Sequence, residues 1–315
     1  MINAVTTINL TKKYTETLAV DNININIPAG STCGFLGRNG AGKTTTIRML
    51  VGLCKPTAGE INIMGEQRIF GKQGTPTFGY LPDVPNFYGY MTGKEFLDLS
   101  GKLCQMPDNI RKERIQIILK QVGLDGVRQR ISGYSRGMKQ RLGVAQAMIN
   151  NPPVIFLDEP ISALDPMGRK DVADIIRNLK ETTVVLSTHI LADVEDICDY
   201  VLIIEKGNLL AADYKQNLRR EYADNTTKVR FYEESDLKTF TNKASDLNID
   251  FTSKDPLEID CQRKDTHIKE LNKIITGILY DLALPVESHG SHIPTMDDIF
   301  HKVLTKYKGE VTDNV

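Results

Sequence analysis

Gly37-Arg38-Asn39-Gly40-Ala41-Gly42-Lys43-Thr44 sets three glycines, a lysine and a hydroxyl in the spacing GxxxxGK[ST]. The glycines let successive backbone N–H groups curl round a phosphate, at the positive end of the helix expected to follow. Lys43 is placed to reach outer phosphates, and the Thr44 hydroxyl to ligate Mg²⁺. A tight strand-to-helix turn without a ligand would use the same glycines. A second element favours chemistry. Val154-Ile155-Phe156-Leu157 is an apolar run closing on Asp158 and Glu159. Both carboxylates then fall at the carboxyl end of a buried parallel strand, where α/β sheets bind ligands. There Asp158 suits Mg²⁺, and Glu159 suits taking a proton from an attacking water.

The glycine loop needs a strand before it and a helix after it, and Thr32–Leu36 and Lys43–Leu53 fit those roles. Upstream, Asn22, Asn24 and Asn26 alternate with Ile23, Ile25 and Ile27, which predicts one half-buried strand ended by Pro28-Ala29-Gly30. Glu60–Met64 and Thr77–Leu81 read as further strands. From about Pro85 to Asn151 the pattern turns helical. Thr92 and Glu95 form a capping box for Gly93–Cys104, Asp108 caps Asn109–Val122, and Ser135 caps a helix running to Ile149. Strands Val154–Asp158 and Thr183–Ser187 then alternate with helices Pro166–Leu179, capped by Asp165, and Ile190–Cys198, before a hairpin around Gly207. This order predicts an α/β fold: a parallel-sheet core with an antiparallel β subdomain and a helical insertion over about 85–151. Past Glu221 the order β-α-β-β-α-β, followed by a helix Met296–Tyr307 capped by Thr295, predicts a small α+β, ferredoxin-like domain over 221–315.

Composition narrows the partners. With 39 Lys and Arg against 40 Asp and Glu, the chain carries a net charge of −1 and has no bulk electrostatic attraction for nucleic acid. From Glu221 onward, 12 basic residues face 18 acidic ones, a net of −6, so this segment is no nucleic-acid arm. No apolar run approaches the ~20 residues of a spanning helix, and Met1–Leu10 has no secretory pattern. Five scattered cysteines without a CxxC read as reduced cytosolic thiols. Action at a membrane would require a separate membrane chain.

Over about residues 1–220 the sequence resembles the ATP-binding cassette (ABC) ATPases, which have a P-loop NTPase core. Tyr134-Ser135-Arg136-Gly137-Met138-Lys139-Gln140-Arg141 resembles the family's LSGGQ signature, with Arg136 and Met138 replacing a glycine and a glutamine. The resemblance implies ATP and Mg²⁺ as cofactors. It implies nucleotide contacts from Tyr14, stacked on adenine, and from Gly37, Asn39, Gly40, Ala41, Gly42, Lys43, Thr44 and Thr45. Metal contacts would come from Thr44, Asp158 and Asp83, the last standing in Gly79-Tyr80-Leu81-Pro82-Asp83 where the family commonly has Gln or Glu. Catalysis is implied for Glu159, Lys43 and His189, the last within Ser187-Thr188-His189. Two copies would pack head to tail, with Ser135 and Gly137 of one facing the γ-phosphate held by the other, and with Ser162-Ala163-Leu164-Asp165 against the partner subunit.

The same resemblance implies an ATP-hydrolysing transporter subunit at the cytoplasmic face of the membrane. A separate integral membrane permease would dock near Asp83 and the helical insertion. Pro294-Thr295-Met296-Asp297-Asp298-Ile299-Phe300 resembles the tail of exporter cassettes. The loop Pro85–Met91, with Phe87, Tyr88 and Tyr90, reads either as part of that docking surface or as local core. The alternative is a soluble ABC-type ATPase of translation or DNA repair; tandem cassettes, a long coiled-coil insertion and a basic surface, its usual marks, are not seen. A P-loop kinase or GTPase switch would lack the Ser135 and His189 elements.

Overall fold

A computed structural model describes residues 2–70, 78–162, 164–223, 226–264, 266–291 and 293–312. Strand β1 (Asn3–Tyr14) organises the first sheet, with β2 (Thr17–Ile23) and β3 (Asn26–Pro28) both antiparallel to it. The single strand expected over Asn22–Ile27 is thus two. Asn22 takes a positive φ of 49°, and Thr7 Oγ1 bridges the break by donating to Ile23 O at 3.1 Å and accepting from Ile25 N–H at 3.0 Å. The apolar alternation survives the kink, because Ile23, Ile25 and Ile27 all enter the core. β4 (Thr32–Leu36) leaves for a second sheet; after α1 (Lys43–Leu50) the chain returns with β5 (Ala58–Ile63) and β6 (Glu66–Gln67), completing the order β2-β1-β5-β6.

The second sheet carries the glycine loop. β7 (Phe78–Leu81) leads into helices α2 (Gly93–Leu103), α3 (Asp108–Gln121) and α4 (Arg136–Met148); Thr77, expected to open β7, lies outside the described residues. Then follow β8 (Val154–Asp158), α5 (Pro166–Arg177), β9 (Thr183–Thr188), α6 (Leu191–Ile197), β10 (Tyr200–Glu205) and β11 (Asn208–Tyr214). The order is β11-β10-β4-β9-β8-β7, parallel throughout except for β11. β8 and β9 are buried along their whole length, as parallel strands covered on both faces must be. Leu36 pairs with Thr188 and Asp158 with Ser187, so the ends of β4, β8 and β9 meet at one edge.

Helix caps follow the sequence with one exception. Thr92 and Glu95 form the capping box, while Ser135 and Asp165 accept from Met138 N–H and Gly168 N–H. Asp108 does not cap α3: it is the first helical residue, after Pro107. Its carboxylate instead takes Arg111 Nη2 at 2.6 Å, beside Asp98, which takes Arg111 Nε at 2.7 Å. Phe87 packs edge-on against Phe96 with centroids 5.0 Å apart, while Tyr88 and Tyr90 are exposed, so this loop is partly core and partly surface.

By compactness, Met1–Gln216 and Phe300–Val315 form one unit and Asn217–Ile299 another. The division falls four residues before the expected 220/221 boundary, and most of the last helix clusters with the first unit. After α7 (Lys215–Glu221), the second unit comprises β12 (Thr226–Phe231), α8 (Glu234–Asp246), β13 (Asp250–Asp255), β14 (Glu258–Gln262), α9 (Ile268–Asp281) and β15 (Val286–Ser291). The antiparallel order β13-β14-β12-β15 is the ferredoxin-like arrangement. Its core includes Val229, Phe231, Phe240, Ile259, Leu271 and Ile275. α10 (Met296–Thr312) is capped by Thr295, whose Oγ1 accepts from Asp298 N–H at 3.2 Å. Among the described residues no helix is long and apolar enough to cross a membrane.

α4 lies so close to β7 that a Cβ on Gly79 would sit 1.9 Å from Ala147 O, whereas one on Gly137 would meet nothing within 4 Å. Gly79→Ala is therefore expected to destabilise the fold by at least ~1–3 kcal/mol through overpacking. Gly137→Ala is expected to cost nothing, since alanine favours a helix by about 0.5–1 kcal/mol over glycine. Urea denaturation of both variants checks the pair.

Candidate active site

The glycine loop closes on its own lysine. Gly42 has a φ of 111°, and a Cβ there would lie 2.6 Å from Ala19 O, so only glycine fits before α1. Lys43 is buried. Its Nζ donates to Gly37 O at 2.7 Å and Arg38 O at 3.2 Å, and stands 3.6 Å from Glu159 Oε1. Burial pushes the ammonium pKa down, and the Glu159 carboxylate opposes that shift.

Behind the loop stands Asp158, 1% exposed. Its Oδ1 accepts from Ser187 Oγ at 2.6 Å and from Thr44 Oγ1 at 3.1 Å. Burial raises the carboxyl pKa and these two hydrogen bonds pull it back. Ser187 Oγ also accepts from Glu159 N–H at 2.9 Å. Glu159 has a positive φ of 49°, a left-handed conformation rare outside glycine and worth attention in a site. Its carboxylate accepts from His189 Nδ1–H at 3.0 and 3.1 Å.

Together these groups border an open cleft of about 430 Å³. Asn39, Gly40, Ala41, Gly42, Lys43, Thr44, Thr45, Asp83, Glu159 and His189 line it, all anticipated from sequence. Gly37 and Asp158 act just behind, through Lys43 and Thr44. Ala19 and Ser162 also line the cleft; no local signal marked Ala19, and Ser162 was expected only at a partner contact. Ala163 lies outside the described residues. Ser187 lies in the Ser187-Thr188-His189 segment, where residue type alone gives it no role, and the β8–β9 register reveals one.

Besides Gly37 and Asp158, three anticipated residues do not line this cleft. Ser135 and Gly137 belong to the start of α4. Tyr14 closes β1; it is 44% exposed, its hydroxyl shares a hydrogen bond with Cys54 Sγ at 3.3 Å, and Lys12 Nζ stands 4.8 Å from its ring centroid.

Among the described residues no group of three or more His, Cys, Asp or Glu is arranged to hold a metal. One threonine hydroxyl with a neighbouring carboxylate is instead the sparse oxygen set that suits Mg²⁺, whose remaining positions go to phosphate oxygens and water.

A phosphate-cradling loop backed by an acidic strand end defines the site of a P-loop nucleotide hydrolase. The family model described as ABC transporter matches residues 20–162. The ABC transporter ATP-binding protein YxlF of Bacillus subtilis is 43% identical over 219 residues, 69% of this chain and 73% of that protein. YdbJ of the same organism is 34% identical over 306 residues, 96% of this chain and 95% of its own, so that similarity includes the C-terminal unit. The bacitracin transport ATP-binding protein BcrA of Bacillus licheniformis is 40% identical over 232 residues, 71% of this chain and 75% of that protein. Among solved structures, an ATP-binding subunit of an ABC transporter superposes with a TM-score of 0.62 at 28% identity, over 70% of this chain and 93% of that one. The dimeric, post-hydrolysis cassette MJ0796 with ADP and Pi gives 0.60 at 25% identity, over 67% of this chain and 98% of that one. The chain belongs to the ABC transporter family, as an ATP-binding subunit and ATPase. These findings carry the transporter reading and give none to the alternative in translation or DNA repair.

Asp158 provides a test with a sign. A carboxyl whose folded pKa lies above its unfolded value weakens the fold as pH rises past the unfolded value, about 4; below it the penalty vanishes. Asp158→Asn is therefore expected to raise the nucleotide-free Tm at pH 7, with the gain shrinking toward pH 4, while ATP turnover falls about 10²-fold or more. Thermal melts over pH and a phosphate-release assay check both halves.

Proposed function

We propose that the cleft hydrolyses ATP with Glu159 as general base, within a transporter whose permease is a separate integral membrane chain. The observation that carries the reading is the placement of Glu159. Its backbone N–H is held by Ser187, and its carboxylate lies between His189 Nδ1 and Lys43 Nζ at the edge of the cleft. Lys43 and the backbone N–H groups of the glycine loop bind the phosphates. Thr44 and Asp158, with Asp83 at the rim, would hold Mg²⁺, which would supply positive charge against the phosphate oxygens. Glu159 accepts the proton of the attacking water. His189 donates Nδ1–H to Glu159 and turns its imidazole to a γ-phosphate oxygen once nucleotide is bound.

Ser135 and Gly137 complete the site of a second copy packed head to tail, which accounts for their absence from this chain's own cleft. The cap hydroxyl, the free N–H groups and the helix dipole at the start of α4 all favour an anion there. Tyr14, next to Cys54 and near the loop, serves the adenine ring. No nucleic acid takes part.

The permease docks near Asp83 and the exposed Tyr88 and Tyr90, which sets the subunit at the cytoplasmic face of the membrane. Export is the direction proposed: the tail Pro294–Phe300 resembles exporter cassettes, and two relatives are described as bacitracin transport proteins. The segment 221–315 serves as an accessory domain.

Glu159→Gln tests the reading. Turnover is expected to fall about 10²–10⁴-fold, the usual contribution of a general base. ATP binding should persist, and ATP should convert monomer to dimer in size-exclusion chromatography with light scattering. A variant that turns over at the parental rate, or stays monomeric with saturating ATP, would overturn the proposal.

A further inference from the structure

Asp193, on α6, is a buried carboxylate, 7% exposed, that does not line the ATP cleft. Its two oxygens serve two different elements. Oδ1 accepts from Arg169 Nη2 at 2.7 Å, and Oδ2 accepts from Thr188 Oγ1 at 3.3 Å. Thr188 Oγ1 also accepts from Ile190 N–H at 3.0 Å. His189 is therefore flanked by two residues fastened through one hydroxyl, and that hydroxyl is fastened to Asp193.

The other end of the link reaches α5. Arg169 N–H donates to Asp165 O at 2.9 Å, and Asp165 Oδ1 caps the helix through Gly168 N–H at 3.2 Å. Ser162 Oγ donates to Glu159 O at 3.3 Å. Two routes thus run from the segment after β8 to the catalytic pair. A short one passes through Ser162 to Glu159. A longer one passes from Asp165 through Arg169, Asp193 and Thr188 to the backbone on both sides of His189.

We infer that Arg169, Asp193 and Thr188 are positioning residues that hold the His189 imidazole against Glu159 and tie its place to that of Asp165. The inference rests on the proposed role of His189. The physical ground is the penalty on a buried carboxylate that loses its partners: Asp193 keeps Arg169 of α5 and Thr188 of β9 together, so separating the two elements is costly. A ring that meets both carboxylate oxygens at 3.0 and 3.1 Å has little positional latitude, and misplacement by about 1 Å can cost 10²-fold in rate.

Thr188→Val, which removes the hydroxyl and keeps the shape, and Asp193→Asn test the link, with ATP turnover, ATP affinity and thermal stability measured on each. The expected result is a fall in kcat of about tenfold or more in both, with KM for ATP changed less than about twofold. The double variant should be no slower than the slower single one, because both act through one link. Folded Thr188→Val turning over at the parental rate would overturn the inference. So would kcat and ATP affinity falling in proportion, the mark of general loosening. His189→Ala separates the levels. If it stays active, the role of His189 falls and this inference with it; if it is inactive beside a fully active Thr188→Val, only this inference falls.

Discussion

The site depends on one hydroxyl. Ser187 Oγ donates to the buried Asp158 carboxylate and accepts the N–H of Glu159. Without the first bond a buried anion would keep only Thr44 as a side-chain donor among the described residues; without the second, a left-handed residue would lose the partner of its backbone N–H. Both bonds follow from pairing Asp158 with Ser187 across β8 and β9. A slip of one residue would turn every side chain of the strand to the other face. Full burial of both strands makes such a slip prohibitive, so the core that stabilises the sheet also sets the distance between the two acids and the loop.

From that hydroxyl the remaining geometry extends in three directions. Toward the loop, Thr44 bonds Asp158 and fixes the start of α1, so Lys43 enters the same small volume as Glu159. Toward β9, the next two residues place Thr188 and His189 where one is fastened to Asp193 and the other meets Glu159. Toward β7, which pairs with β8, the close approach of Gly79 to Ala147 fixes the C-terminal end of α4 against the sheet. The cost is a buried carboxylate and a left-handed glutamate, both kept where chemistry requires them.

Local signals in the sequence were enough for much of this. The glycine spacing, the apolar run before Asp158, and the caps Thr92, Ser135 and Asp165 act over three or four residues, so their geometry follows from residue type alone. The family resemblance brought His189 and Asp83 to the cleft, which spacing could not have done. What stayed hidden depends on partners far along the chain. Ser187 gains its role from a strand 29 residues away. The break at Asn24-Ile25 depends on Thr7. Asp108 was drawn from capping by Arg111, which needed a second carboxylate beside Asp98. The last helix reads as the end of the C-terminal domain in sequence, yet Asn208 Nδ2 donates to Tyr307 Oη at 3.3 Å, within the first unit.

Ser187→Ala in a single-turnover experiment tests the central claim most directly. With ATP prebound, the rate of γ-phosphate release isolates the chemical step from binding and product exchange. The geometry requires that ATP still bind, since no loop contact is removed, and that the chemical step slow by about tenfold or more as Glu159 loses its anchor. An unchanged single-turnover rate in the folded variant would contradict the claim that Ser187 sets the position of Glu159, the proposed base.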